Sequence, residues 1–116
     1  MNKVILSGIV KNDPYVKNTG APCELIIETR DQWKGDSVKG KNNIERHSTV
    51  AWGSKGDWIK ENIVKGDSVV VEGFLKHKIL SQKLKDKNGN DIMIDGEPII
   101  IKKKITEIKI KSIEKI

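Results

Sequence analysis

The sequence predicts an all-β domain, a five-stranded Greek-key barrel with one short α-helix between its third and fourth strands. Three observations carry that expectation. Short runs rich in β-branched residues alternate apolar and polar side chains with period two, and Gly, Pro, Asn and Asp punctuate them. One segment only, residues 54–66, changes to a helical period. The order is strand, strand, strand, helix, strand, strand, whereas a parallel α/β sheet needs helices alternating with strands.

The elements follow in turn. "KVILSGIV" is the first strand, and the polar "KNDPYVKNTGAP" with Pro14, Gly20 and Pro22 is the loop after it. In "CELIIETR", Cys23, Leu25, Ile27 and Thr29 share one face while Glu24, Glu28 and Arg30 lie opposite, the mark of a half-buried strand. "IERHSTVAW" is the third strand, with Arg46, Ser48, Val50 and Trp52 facing one way. Ser54 and Asp57 fit the S-x-x-D signature of a helix start, Trp58, Ile59 and Ile63 fall on neighbouring turns as core residues, and Gly66 is the stop. "DSVVVEGFLK" returns to strand. A long polar excursion, "SQKLKDKNGND", carries an Asn-Gly pair suited to a hairpin tip; the segment from Leu80 to Pro98 is either a long hairpin or a mobile loop. From Thr106 onward Ile108 and Ile110 alternate with Glu107, Lys109 and Lys111, which makes the last strand. This is the order of the OB-fold. A chain of 116 residues suits one such domain, placed at 1–111 with a short C-terminal end at 112–116.

The formal net charge is +6 with a pI near 9.4, and nearly all the positive charge is lysine; only Arg30 and Arg46 are arginines. Such a balance favours a polyanionic partner, or simply solubility. The single cysteine, Cys23, excludes an intramolecular disulfide and a cysteine metal cluster, and its strand setting makes it a buried, inert thiol. No apolar run approaches the roughly 18 residues of a membrane span, and the N-terminus lacks a signal-peptide pattern, so a reducing cytoplasm is expected. His47 and His77 lack metal-ligand spacing, and Ser7, Ser48 and Ser68 have no nucleophile elbow around them. No catalytic residue, metal or cofactor is expected, and the protein is read as a non-enzyme.

"WKGDSVKGKNN", Trp33 to Asn43, holds Gly35, Gly40 and Lys41 at the spacing of a phosphate-binding P-loop, but Asn42 replaces the required hydroxyl residue. A P-loop must also pass from strand into helix, and here the segment joins two strands. The other candidate chemistry is nucleic-acid binding. Trp33, flanked by Gln32 and Lys34 at the mouth of a lysine-bearing loop, either stacks a splayed base or packs under its own hairpin.

Taken together, "MNKVILSGIVKNDPYV", "TRDQW", "ERHSTVAWG" and "KGDSVVVEGFLKHK" resemble the bacterial-type single-stranded DNA-binding proteins. The likeness runs through roughly residues 1–80 in register, including the span from Gly53 to Gly66, and weakens after that. It implies an OB-fold subunit that assembles into a homo-oligomer, a tetramer first and a dimer second, and that binds single-stranded DNA with little sequence preference. Trp33 and Trp52 fall at base-stacking positions of the family. Arg46 stands where an aromatic is usual, and Leu80 takes the place of another. Lys76 and Lys78 match basic positions of the later hairpin. His47 and the first strand, Asn2, Lys3, Val4 and Ile5, match the family's subunit interface.

The nucleic-acid-binding set is therefore Trp33, Trp52, Lys34, Lys39, Lys41, Arg46, Lys76 and Lys78. The chain ends at "KSIEKI", which is basic and strand-like, so recruitment of partners through the family's usual acidic tail is not expected. The expected role is protection of single strands in replication, recombination or repair. Two alternatives stay open: an OB-fold adapter of a replication or restart complex that binds nucleic acid weakly, and an RNA-binding OB protein.

Overall fold

The computed structural model describes residues 1–32 and 42–116. It divides into two compact units: residues 1–76 with 107–116, and residues 77–106.

The first unit is the barrel. Strands β1 (Val4–Val10), β3 (Cys23–Gln32), β4 (Asn42–Ala51), β5 (Ser68–Lys83) and β8 (Ile100–Lys115), of which β5 belongs to this unit through Lys76 and β8 from Glu107, form a sheet in the order β1-β5-β8-β4-β3, which β1 closes by pairing with β3; the short β2 (Tyr15–Val16) adds to β3. β3 and β4 pair antiparallel from Cys23↔Ala51 to Gln32↔Asn42, and β4 meets β8 in parallel at Thr49↔Ile108 and Val50↔Lys109. One helix, α1 (Ser54–Asn62), lies between β4 and β5 in the chain. This is the OB-fold expected from the sequence.

Period-two alternation explains the interior. Val10, Cys23, Leu25, Ile27, Ala51, Val69, Val71 and Ile110 are buried and pack as one cluster, joined from the helix side by Ile59 and Ile63. Each buried Val, Leu or Ile side chain here contributes roughly 1.5–3 kcal/mol relative to exposure. Closure brings backbones together at Gly8, where an added Cβ would collide with the Glu28 carbonyl, so β1 and β3 meet at a residue without a side chain.

Four expectations need correction. The S-x-x-D signature does not cap the helix: the N-cap is Gly53, at φ 62, without a side-chain cap bond, and the Asp57 N–H donates to the Gly53 carbonyl at 3.1 Å. Glycine suits that left-handed position, which Ser54 would adopt only with strain. Trp58 is 43% exposed, because Gly56 and Ile59 carry the buried face of the short helix. β8 runs on to Lys115, and the Ile116 N–H donates to the Ser68 carbonyl at 2.8 Å, so the chain's end belongs to the barrel. Residues 80–98 form two successive turns rather than one long hairpin.

In the second unit the chain doubles back twice. The first turn is held by Asp86, whose Oδ1 accepts from the N–H groups of Asn88 and Asn90, and by Lys85 and Asp91, 2.8 Å apart. The second is the Asp95-Gly96 turn between β6 (Met93–Ile94) and β7 (Glu97–Pro98), with φ 52 and φ 79 at its two residues. Positive φ at both central positions is the type I′ turn that favours Asp-Gly.

Candidate nucleic-acid interface

The outer face of β3 and β4 is set by their register. Glu24 lies opposite Val50, Ile26 opposite Ser48, Glu28 opposite Arg46 and Arg30 opposite Ile44. Alternation sends these residues to the side away from Leu25, Ile27, Thr49 and Ala51, which are buried. Trp52, one residue past β4, continues the line of Arg46, Ser48 and Val50 and is 44% exposed. Ile26 and Ile44 are exposed on the same face. The result is a strip with apolar patches, an indole and guanidinium groups, open to solvent.

Val50 and Glu28 are the buried residues of this strip, at 3% and 4% exposure. Glu28 Oε2 accepts from Arg46 Nε at 3.1 Å, its Oε1 accepts from Arg30 Nε at 3.1 Å and lies 3.1 Å from Arg30 Nη2, and Lys11 Nζ is 3.8 Å from Oε2. Burial acts to raise its pKa, but hydrogen bonds from Arg46 and Arg30 and the charge of Lys11 outweigh that and hold it below the ordinary value. The carboxylate is ionised and fully engaged.

Trp52 also borders a cleft of ≈ 630 Å³ between the loop before β3 and the start of α1, with Asn18, Thr19, Cys23, Asp57 and Lys60 in its lining. Cys23 is buried there, and burial pushes its thiol up, as an inert cysteine requires.

Of the other expected binding residues, Lys76 is exposed on β5 in the barrel unit and Lys78 is exposed in the second unit. Trp33, Lys34, Lys39 and Lys41 lie outside the described residues. The strands on either side of them pair antiparallel, which is not the strand-to-helix passage of a P-loop.

The expected interface residues gather around β1. Asn2 acts as one more rung of the ladder, its Nδ2 donating to the Leu75 carbonyl and its Oδ1 accepting from the Leu75 N–H, both at 2.9 Å. Lys3 pairs with Glu72 at 3.1 Å. Val4 is half-buried opposite Gly73, and Ile5 is 63% exposed. β1 pairs with β3 only at Ile9 and Val10. Along Val4–Ser7, before the close approach to β3 at Gly8, the edge away from β5 has no paired strand among the described residues. His47 Nε2 hydrogen-bonds Thr29 Oγ1 at 3.0 Å, and both line a recess of ≈ 330 Å³ with Ile5, Ser7, Asp31 and Glu45. Glu28 and Arg30, which the sequence places on the polar face of β3 without a role, meet Arg46 in the ion cluster.

Comparison with known proteins shows the family. The model of the single-strand binding protein (SSB) family matches residues 1–115. The chain belongs to that family. SSB proteins are DNA-binding proteins rather than enzymes, and among the described residues no group of three or more His, Cys, Asp and Glu side chains is placed to hold a metal. Among solved structures this chain is similar to a Plasmodium falciparum SSB in complex with ssDNA, with 22% identity over 100% of this chain and 95% of the other, at a TM-score of 0.69. At that identity the likeness carries the fold.

Proposed function

We propose that this SSB-family protein binds single-stranded DNA without strong sequence preference and protects it during replication, recombination or repair in the cytoplasm. Bases stack on Trp52 and Trp33. Lys34, Lys39, Lys41, Arg46, Lys76 and Lys78 bind phosphates. The observation that carries the reading is the exposure of Arg46 and Ser48 on the outer face of β4 and, past buried Val50, of Trp52 just beyond the strand, beside exposed Ile26 and Ile44. Indole and guanidinium planes take any base, while cations follow the backbone. A second copy of the chain pairs along β1: the unpaired stretch Val4–Ser7, exposed Ile5 and the recess at His47 support an edge that a symmetric partner covers. Assembly as a dimer of such dimers is part of the proposal.

Intrinsic tryptophan fluorescence during titration with oligo(dT), repeated with duplex DNA and at several salt concentrations, tests it. Quenching by the single strand with little by duplex, and a component that survives salt, is the expected result. Trp52→Ala removes part of the quenching and roughly 1–3 kcal/mol of affinity, about five- to a hundredfold or more. Equal binding of single strand and duplex, abolished by salt, sinks the reading and leaves a generic basic surface.

A further inference from the structure

We propose that Glu28 gathers Arg30 and Arg46 into a paired-guanidinium site for the phosphodiester backbone of the single strand, which makes Arg30 a nucleic-acid-binding residue and Glu28 the residue that positions both arginines. The inference rests on the single-strand reading above and deepens it.

The geometry is specific. The chain has two arginines in a lysine-rich background, and both turn to the same carboxylate. Register places Arg46 directly across from Glu28, and alternation places Arg30 two residues along β3 on the same outer face. The carboxylate is 4% exposed, whereas the side chains of Arg30 and Arg46 are 56% and 66% exposed. The anion therefore sits at the base and the two guanidinium groups stand above it in solvent. The bonds to Glu28 use Nε and Nη2 of Arg30 and Nε of Arg46, and a guanidinium has further N–H donors in its fork.

Charge favours an anionic ligand. Lys11, Arg30 and Arg46 surround one carboxylate, so the cluster keeps an excess of two positive charges. Planar guanidinium forks suit phosphate oxygens, and a fork already fixed by a carboxylate loses less side-chain freedom on binding than a lone lysine. Stability alone does not explain the arrangement, because an apolar side chain at position 28 serves a sheet as well as a buried carboxylate with its desolvation cost. The site also lies on the face that runs along β4 to Trp52, so a strand stacked on that indole has cations beside it.

The test is the anisotropy of labelled oligo(dT) with the full chain and with Glu28→Gln, Arg30→Lys and Arg30→Ala, each at several salt concentrations. Glu28→Gln adds one net positive charge, which on simple electrostatics tightens binding. The positioning role gives the opposite sign, a weakening of roughly three- to tenfold. Arg30→Lys keeps the charge and loses the fork, so its affinity falls towards that of Arg30→Ala. Arg30→Ala also lowers the slope of log affinity against log salt by about 0.7, the value for one phosphate contact on a single strand. Glu28→Gln binding as tightly as wild type or tighter, or Arg30→Lys indistinguishable from wild type, overturns the proposal and leaves a purely structural ion cluster. Should Glu28→Gln fail to fold, the two changes at exposed Arg30 decide alone. Wild-type protein that ignores oligo(dT) takes down the functional reading as well; wild-type binding with unchanged variants takes down this inference only.

Discussion

At the scale of single residues, the buried charge at Glu28 has a consequence for stability that is separate from DNA binding. Its folded pKa lies below the ordinary 4.5 because the bonds from Arg46 and Arg30 prevail over burial. A depressed carboxylate stabilises the fold fully above its unfolded pKa, and that contribution fades as pH falls through the lower folded value. Asp67, bonded by the Val64 N–H and paired with Lys115, and Glu72, bonded by Lys3, are depressed as well and act in the same direction. Urea midpoints are therefore expected to hold steady above about pH 4.5 and to fall below it. Glu28→Gln is expected to be less stable than wild type at neutral pH, to show a shallower acid limb, and to converge with wild type in acid. Parallel curves of unequal height throughout would mean that Glu28 acts through shape rather than charge. Sequence alternation placed Glu28 on the polar side of β3, and there it is. What alternation could not reveal is that a polar-face residue is buried, because that depends on Arg46 arriving from β4 and on Gly8 letting β1 come close.

Among the elements, the helix shows how far local pattern reaches. Its existence, place between β4 and β5, and approximate length follow from a change of period, whereas its buried side was misassigned. Trp58 and Ile59 are adjacent, so only one can point inward on a short helix; the barrel end takes Ile59, at 0% exposure, and leaves Trp58 43% exposed. Ile59→Ala is expected to cost roughly 2–5 kcal/mol, whereas Trp58→Ala costs well under that. Chemical denaturation of the two variants checks the ranking, and an equal loss would place the indole in the core after all. The strands were more legible than the helix because period two leaves less choice: Cys23, Leu25 and Ile27, or Val69 and Val71, have one consistent inside. The β6–β7 hairpin went unread although Asp95-Gly96 is a strong turn signal, because the flanking runs of two residues are too short to show alternation.

For the molecule as a whole, the two compact units differ in what holds them. The apolar cluster lies entirely within residues 1–76 and 107–116, down to the partly buried Val16 and Ile113 packed against it. No residue of 77–106 is buried, and Ile79, Met93, Ile94 and Ile100 are each more than half exposed. That unit depends on turns, backbone bonds such as Leu84 N–H to the Ile99 carbonyl at 2.8 Å, and the Lys83 and Lys85 pairs to Asp91. Exposed pairs of this kind contribute little each. At its base His77 Nδ1 and Thr106 Oγ1 are hydrogen-bonded at 2.8 Å, so the two chain ends that enter it lie side by side. Replacing residues 77–106 with a short turn from Lys76 to Glu107 should therefore leave a barrel that melts cooperatively, with its β-rich circular dichroism intact. A broad or absent transition would show that β5 and β8 need their continuations to pair. The same variant separates two sources of affinity. It keeps Trp52, Arg46 and Lys76 and loses Lys78. If the second unit contacts phosphates, the variant binds oligo(dT) more weakly at low salt, with a shallower salt dependence, and the gap narrows as salt rises. If its affinity and salt slope equal those of the full chain, binding resides in the barrel unit and Lys78 leaves the binding set.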